Sequence, residues 1–88
     1  MDDELFIHER VSVAALFRAG QQPCYPVKFK RSNGREISVT ELGLSYPANQ
    51  GKQGVYIFDV TDGGADYRLE FHTATLAWWL TREADHVS

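Results

Sequence analysis

The sequence predicts an all-β fold of about six antiparallel strands, mostly a meander, curled into a small barrel or roll. Three observations lead there. The most apolar run, Val55-Tyr56-Ile57-Phe58-Asp59-Val60, is followed by Gly63-Gly64 and then Tyr67-Arg68-Leu69-Glu70-Phe71, the pattern of a β-hairpin. Val11, Val13, Ala15 and Phe17 alternate with Ser12, Ala14, Leu16 and Arg18, a period of two. A second hairpin pattern surrounds Ser32-Asn33-Gly34, with Val27 and Phe29 before it and Ile37 and Val39 after it.

The central hairpin fixes its own register. A two-residue type I′ loop at Gly63-Gly64 needs positive φ at both positions, which glycine supplies. Val60 then faces Tyr67, Phe58 faces Leu69 and Tyr56 faces Phe71. On the reverse face Asp59 lies opposite Arg68, Ile57 opposite Glu70 and Val55 opposite His72. Shifting the loop to Asp62-Gly63 would set Asp59 against Asp66, a like-charge pair, and is rejected.

The other elements follow in chain order. Residues 1–9 are acidic apart from Leu5-Phe6-Ile7; the triplet reads as a short strand or a segment docked on the sheet, and the plainer reading is a loose terminus. A strand is expected over residues 10–18; the valines and the lack of a helical stripe decide against a helix. A loop follows at residues 19–23, then a strand from Cys24 to Arg31 with Val27 and Phe29 on the core face. A three-residue loop at residues 32–34, with Gly34 left-handed, aligns Phe29 with Ile37, Val27 with Val39 and Lys30 with Glu36. Within the next strand the apolar positions change phase, from Ile37 and Val39 to Leu42 and Leu44. That predicts a bulge or bend eased by Gly43, the device by which small sheets curl. Residues 46–54 read as a polar loop. After the hairpin, a turn and a last strand set Leu76 against Phe71, Trp78 against Leu69 and Leu80 against Tyr67. A short C-terminal helix over residues 74–82 is the alternative. Residues 82–88 read as a loose tail.

Composition narrows the function classes. The 88 residues make one domain, 43% hydrophobic, which is ordinary for a globular chain. The net charge of −3 argues against a strongly basic nucleic-acid binder. Cys24 is the only cysteine, so neither an internal disulfide nor a Cys-rich zinc site is expected. The Met-Asp-Asp-Glu start has the wrong charge for a signal peptide, and no apolar run is long enough to span a membrane as a helix. A cytoplasmic setting is expected.

No motif carries chemistry. His8, His72 and His86 lack metal-ligand spacing, so neither a metal nor another cofactor is expected. Cys24 reads as a small buried residue without an adjacent base. Asp59, Arg68, Glu70 and His72 share one face, which is also what the wet face of a sheet looks like. The glycines at 51 and 54 flank Lys52 without phosphate-loop spacing.

The run Val-x-Val-x-Ala-x-Phe from Val11, Pro-Val-x-Phe from Pro26 with Gly34-Arg35 following, and Leu-x-Trp-x-Leu from Leu76 together resemble small uncharacterised all-β proteins of bacteria. These are fold motifs, and the resemblance implies no site residues.

The expected function is therefore a non-enzymatic binding or assembly module. Its partner is a protein or a second copy, and the expected surface is an outer-face patch of Val55, Ile57, Arg68 and Trp79; the local alternative is that Arg68 stacks on the Trp79 indole and Leu5-Phe6-Ile7 folds over the rest. The alternative is a nucleic-acid-associated accessory domain using Lys28, Lys30, Arg31 and Arg35, four of the nine basic residues, gathered on one hairpin.

Overall fold

The computed structural model describes residues 4–19, 24–51 and 53–85, with backbone only at Gln50. Seven antiparallel strands form one curled half-barrel sheet: β1 (Leu5–Leu16), β2 (Tyr25–Lys30), β3 (Glu36–Ser38), β4 (Glu41–Gln50), β5 (Gln53–Thr61), β6 (Ala65–His72) and β7 (Ala77–Asp85). Their order in the sheet is β3-β2-β1-β7-β6-β5-β4. The described residues of the expected loop at 19–23 are Ala19 alone; residues 20–23, Lys52 and His86 lie outside those described.

The strands at the two ends of the sheet are consecutive in the chain. Only Val39 and Thr40 separate β3 from β4. Neighbouring backbone N–H groups on an extended chain point to opposite sides, and these two use that property. Val39 N–H donates to the Val27 carbonyl at 2.9 Å, while Thr40 N–H donates to the Thr61 carbonyl at 2.8 Å. One continuous segment thus pairs with β2 through its first part and with β5 through its second. This is the bend expected from the phase change after Val39. A bulge follows between Leu42 and Ser45, where Gly43 and Leu44 together oppose Asp59. Because the bulge turns the strand, Leu44 is exposed rather than in the core.

The enclosed face holds Val11, Phe29, Ile37, Phe58, Val60, Tyr67, Leu69, Phe71, Trp78 and Leu80 in a single cluster. Trp78 stacks on Phe71 with ring centroids 4.7 Å apart. Phe29 meets Tyr67 edge-on at 5.2 Å. Burial of the Tyr67 ring pushes its phenol pKa up, and Asp62 and Glu83 push it the same way.

Both hairpin registers read from the sequence are present. Val60, Phe58 and Tyr56 pair with Tyr67, Leu69 and Phe71, and Asp59 pairs with Arg68. The turn differs in type: only Gly63 has positive φ, at 97°, which is the type II′ arrangement. Asp62 completes it by accepting from the Gly64 and Ala65 amides, each at 2.8 Å. In the first hairpin Gly34 sits at φ 90°, its N–H donates to the Arg31 carbonyl, and Phe29 and Lys30 align with Ile37 and Glu36.

Several expectations are corrected. β1 begins at Leu5, so Leu5-Phe6-Ile7 is strand, in line with one reading of the triplet, and residues 5–9 are not a loose terminus; Phe17 lies past the strand's end, exposed. Val27 is the extra residue of a bulge opposite Ala14 and Ala15, which turns it outward and puts Pro26 and Cys24 inside. Residues 46–54 are not a loop. β4 continues to Gln50, a tight turn follows at Gly51, and β5 starts at Gln53. Pro47 is tolerated there because β4 pairs on one side only. The final segment is strand, not helix, and it reaches Asp85, so residues 82–85 are not a tail. Its register is two residues from the expected one: Phe71 faces Trp78 and Leu69 faces Leu80. The loop before β7 holds four residues, Thr73 to Leu76, so Leu76 leaves the core and is exposed.

Gly34 has open space where a Cβ would stand, so any penalty there is backbone strain alone. Gly34→Val should lower unfolding free energy by about 1–2 kcal/mol in a denaturant titration. An unchanged midpoint would contradict the left-handed turn.

Candidate functional site

The expected outer-face patch is largely filled from within the chain. Val55 and Ile57 are 1% and 6% exposed. Their cross-strand neighbours are Ala48 and Tyr46 on β4 and His72 and Glu70 on β6. The loop-like composition of residues 46–54 makes the patch look open; residues 46–50 are instead a strand paired beside it. These two residues are therefore corrected from surface to interior. Arg68 is also committed, donating Nε and Nη2 to the two carboxylate oxygens of Asp59 at 2.8 and 3.1 Å. That bond raises its pKa. It does not reach Trp79, which the shifted register places opposite Glu70. Instead His8 stacks on the indole at 4.0 Å, nearly parallel, and the Arg10 guanidinium lies 5.6 Å from the ring centre. The expected Asp59, Arg68, Glu70 and His72 face resolves into two pairs, Asp59 with Arg68 across β5 and β6, and His72 with Glu70 along β6, the His72 Nε2 3.4 Å from the carboxylate. Among the described residues no group of His, Cys, Asp and Glu is arranged to hold a metal ion. Cys24 is buried, and burial pushes its thiol pKa up, away from a reactive thiolate.

The basic hairpin divides as well. Arg31 is only 15% exposed and points back into the fold. Its Nη2 and Nε donate to both oxygens of Glu9 at 2.8 and 3.3 Å, and its Nη1 donates to Glu83 at 3.0 Å. The Ser32 amide and hydroxyl add two more bonds to Glu9. One guanidinium thus ties the end of β2 to β1 and β7. The bonds from Arg31 and Ser32 hold the Glu9 pKa at about 2 rather than 4.5, and Glu9 in turn raises that of Arg31. Lys28 pairs loosely with Glu36 at 3.3 Å, both well exposed. Lys30 and Arg35 keep exposed side chains without a carboxylate partner among the described residues.

The clamp stands at one wall of an open groove of about 660 Å³ that crosses β1. Arg10 and Ser12 of β1, Lys30 at the end of β2, Ser32 just after it, and Leu76 just before β7 line it. The groove exists because β1 is shared out along its length. It pairs with β7 from Leu5 to Val11 and with β2 from Ser12 to Leu16. Past Ser12, on the side where β7 would continue, the chain has already turned at Thr73 to Leu76. Among the described residues, no strand pairs there. The open segment is Val13-Ala14-Ala15-Leu16, with exposed Phe17 next.

Two of the sheet's free edges, on β4 and on the far half of β1, are unlike. The β4 edge carries a bulge at Gly43-Leu44 and a proline without an N–H at position 47, both devices that discourage strand addition. The β1 edge from Val13 to Leu16 carries no charge, no proline and no glycine. At its rim Leu76 is the only described non-glycine residue with positive φ, at 58°, and it is 72% exposed. A leucine there is strained and gains little burial in return.

Sequence reasoning missed Arg10, Leu76 and the clamp. Arg10 was detectable, since it shares the outward phase of Ser12 and Ala14. Leu76 was not, because Thr-Ala-Thr-Leu contains no glycine to announce a left-handed turn position. The clamp joins residues far apart in the chain and has no local signal.

No protein-family model, curated protein or solved structure matches the chain.

The clamp makes a pH prediction. The folded Glu9 carboxyl titrates below its ordinary value, so its contribution is complete above about 4.5 and is lost as pH falls toward about 2. Acid unfolding monitored by tryptophan fluorescence should show stability declining through that window. Glu9→Gln should be less stable at neutral pH and decline less steeply there. A slope as steep as wild type in that variant would contradict the assignment.

Proposed function

We propose that the chain is a non-enzymatic binding module for a protein partner, and that its recognition surface is the groove and open edge of β1. The observation that supports this reading is the contrast between the two edges. An unpaired row of backbone N–H and C=O groups is a template for another extended chain. β4 carries devices against such pairing, whereas β1 presents a bare apolar edge beside a groove. The outer-face patch supports the reading less, since Val55 and Ile57 are interior and Arg68 is ion-paired. Nucleic-acid binding through the basic hairpin loses Arg31 to the clamp.

Position-specific photocrosslinking tests the proposal. A photoreactive side chain in place of Leu16, at the β1 edge, is compared with one in place of Leu44 on β4, in extract of the native cell. A discrete protein adduct at position 16 and none at 44 is expected. Equal adducts at both positions, or an adduct of the chain with itself alone, would contradict it.

A further inference from the structure

Charge around the groove says more about the partner, on the premise that the β1 edge binds an extended chain. The protein carries more acids than bases, twelve against nine. Four of the described Lys and Arg side chains find carboxylates: Arg31 with Glu9 and Glu83, Arg68 with Asp59, Arg82 with Glu4 and Lys28 with Glu36. The two free cations lining the groove do not. Among the described residues neither Lys30 nor Arg10 has a carboxylate partner, and the Arg10 guanidinium lies against the face of Trp79. They stand on adjacent strands, Lys30 directly across from Ser12 and Arg10 two residues before it. Unpaired cations in an acidic chain, at the mouth of a groove, are a site for negative charge.

We infer that the partner is an extended segment rich in Asp or Glu, which adds to the β1 edge over residues 13–16 and places carboxylates against Arg10 and Lys30. The backbone supplies hydrogen bonds and the two cations select the sequence. Leu76, strained and exposed at the rim, meets an apolar side chain of the segment.

Charge weighs against two other occupants. A second copy pairing antiparallel about Ala15 would set its Arg18 opposite Ser12, between Arg10 and Lys30, bringing cations together. A nucleic acid strand could use the cations but not the row of backbone groups.

Eight-residue peptides with blocked ends, alternating Val with Glu, Gln or Lys, test this by amide chemical-shift titration. The Glu peptide is expected to bind, with shifts along residues 10–16, 30–32 and 76–78. The Gln peptide should bind about tenfold more weakly, as two half-exposed ion pairs imply, and the Lys peptide not measurably. Arg10→Gln with Lys30→Gln should bring the Glu peptide down to the level of the Gln peptide. Leu76→Gly should raise the denaturation midpoint yet weaken the Glu peptide, a combination that lost folding cannot produce. Equal affinity for Glu and Gln peptides would overturn the acidic preference and leave strand addition at β1 standing. Failure of every peptide, or shifts confined to another surface, would overturn both. Tighter binding of a thymidine oligonucleotide than of the Glu peptide would overturn the inference in favour of nucleic acid.

Discussion

Two adjacent amides, Val39 and Thr40, carry the constraint on which this fold depends. They donate to carbonyls on β2 and β5, which lie near opposite ends of the strand order. A flat sheet could not satisfy both, so the sheet must curl until its end strands meet. Curling turns the inward side chains of seven short strands toward a common core. It also lets a chain too short for a large hydrophobic interior bury Phe58, Leu69 and Leu80 completely. The same division of labour recurs in β1, which pairs with β7 over its first half and β2 over its second. Strands that pass from one set of neighbours to the other are how small curled sheets make corners.

The corner at β1 is held differently from the one at Val39. Backbone bonds suffice at the latter. At β1, Arg31 reaches over to Glu9 and Glu83, joining three strands through one planar guanidinium. Arginine suits this role because its donors are fixed in a fork and its charge persists at any working pH. The stagger that the clamp stabilises leaves the far half of β1 without a partner on one side. Structure and recognition are thus linked: the offset between β7 and β2 that lets the sheet curl also exposes the edge on which the proposed function rests.

Much of this fold was legible in the sequence, for local reasons. The two hairpins were readable because cross-strand apolar pairs and opposite charges agree on one register, as Phe58–Leu69 and Asp59–Arg68 show. The bend near Val39 was readable from a change of phase. What misled were signals that tertiary pairing overrides. Tyr46-Pro47-Ala48-Asn49 has the composition of a loop, yet β5 offers it a full row of hydrogen-bond partners, and Pro47 faces the unpaired side. That one error made Val55 and Ile57 look exposed and so drew the expected patch around two interior residues. The four-residue loop ending at Leu76 shifted β7 by two positions. A shift of two preserves which face each side chain takes, so Trp78 was still assigned inward and Trp79 outward, while their neighbours across the sheet were not.

Residue-resolved amide hydrogen exchange on the free protein tests the central claim most directly. If the chain is pinned at Val39 and Thr40, both amides should be protected to nearly the level of global unfolding, like those of Phe58 and Leu69. If the β1 edge is open, every second amide from Val13 to Leu16, those facing away from β2, should exchange within the dead time, while the amides of Glu9 to Val11 that face β7 are protected. Uniform protection from Val13 to Leu16, or rapid exchange at Thr40, would contradict the account.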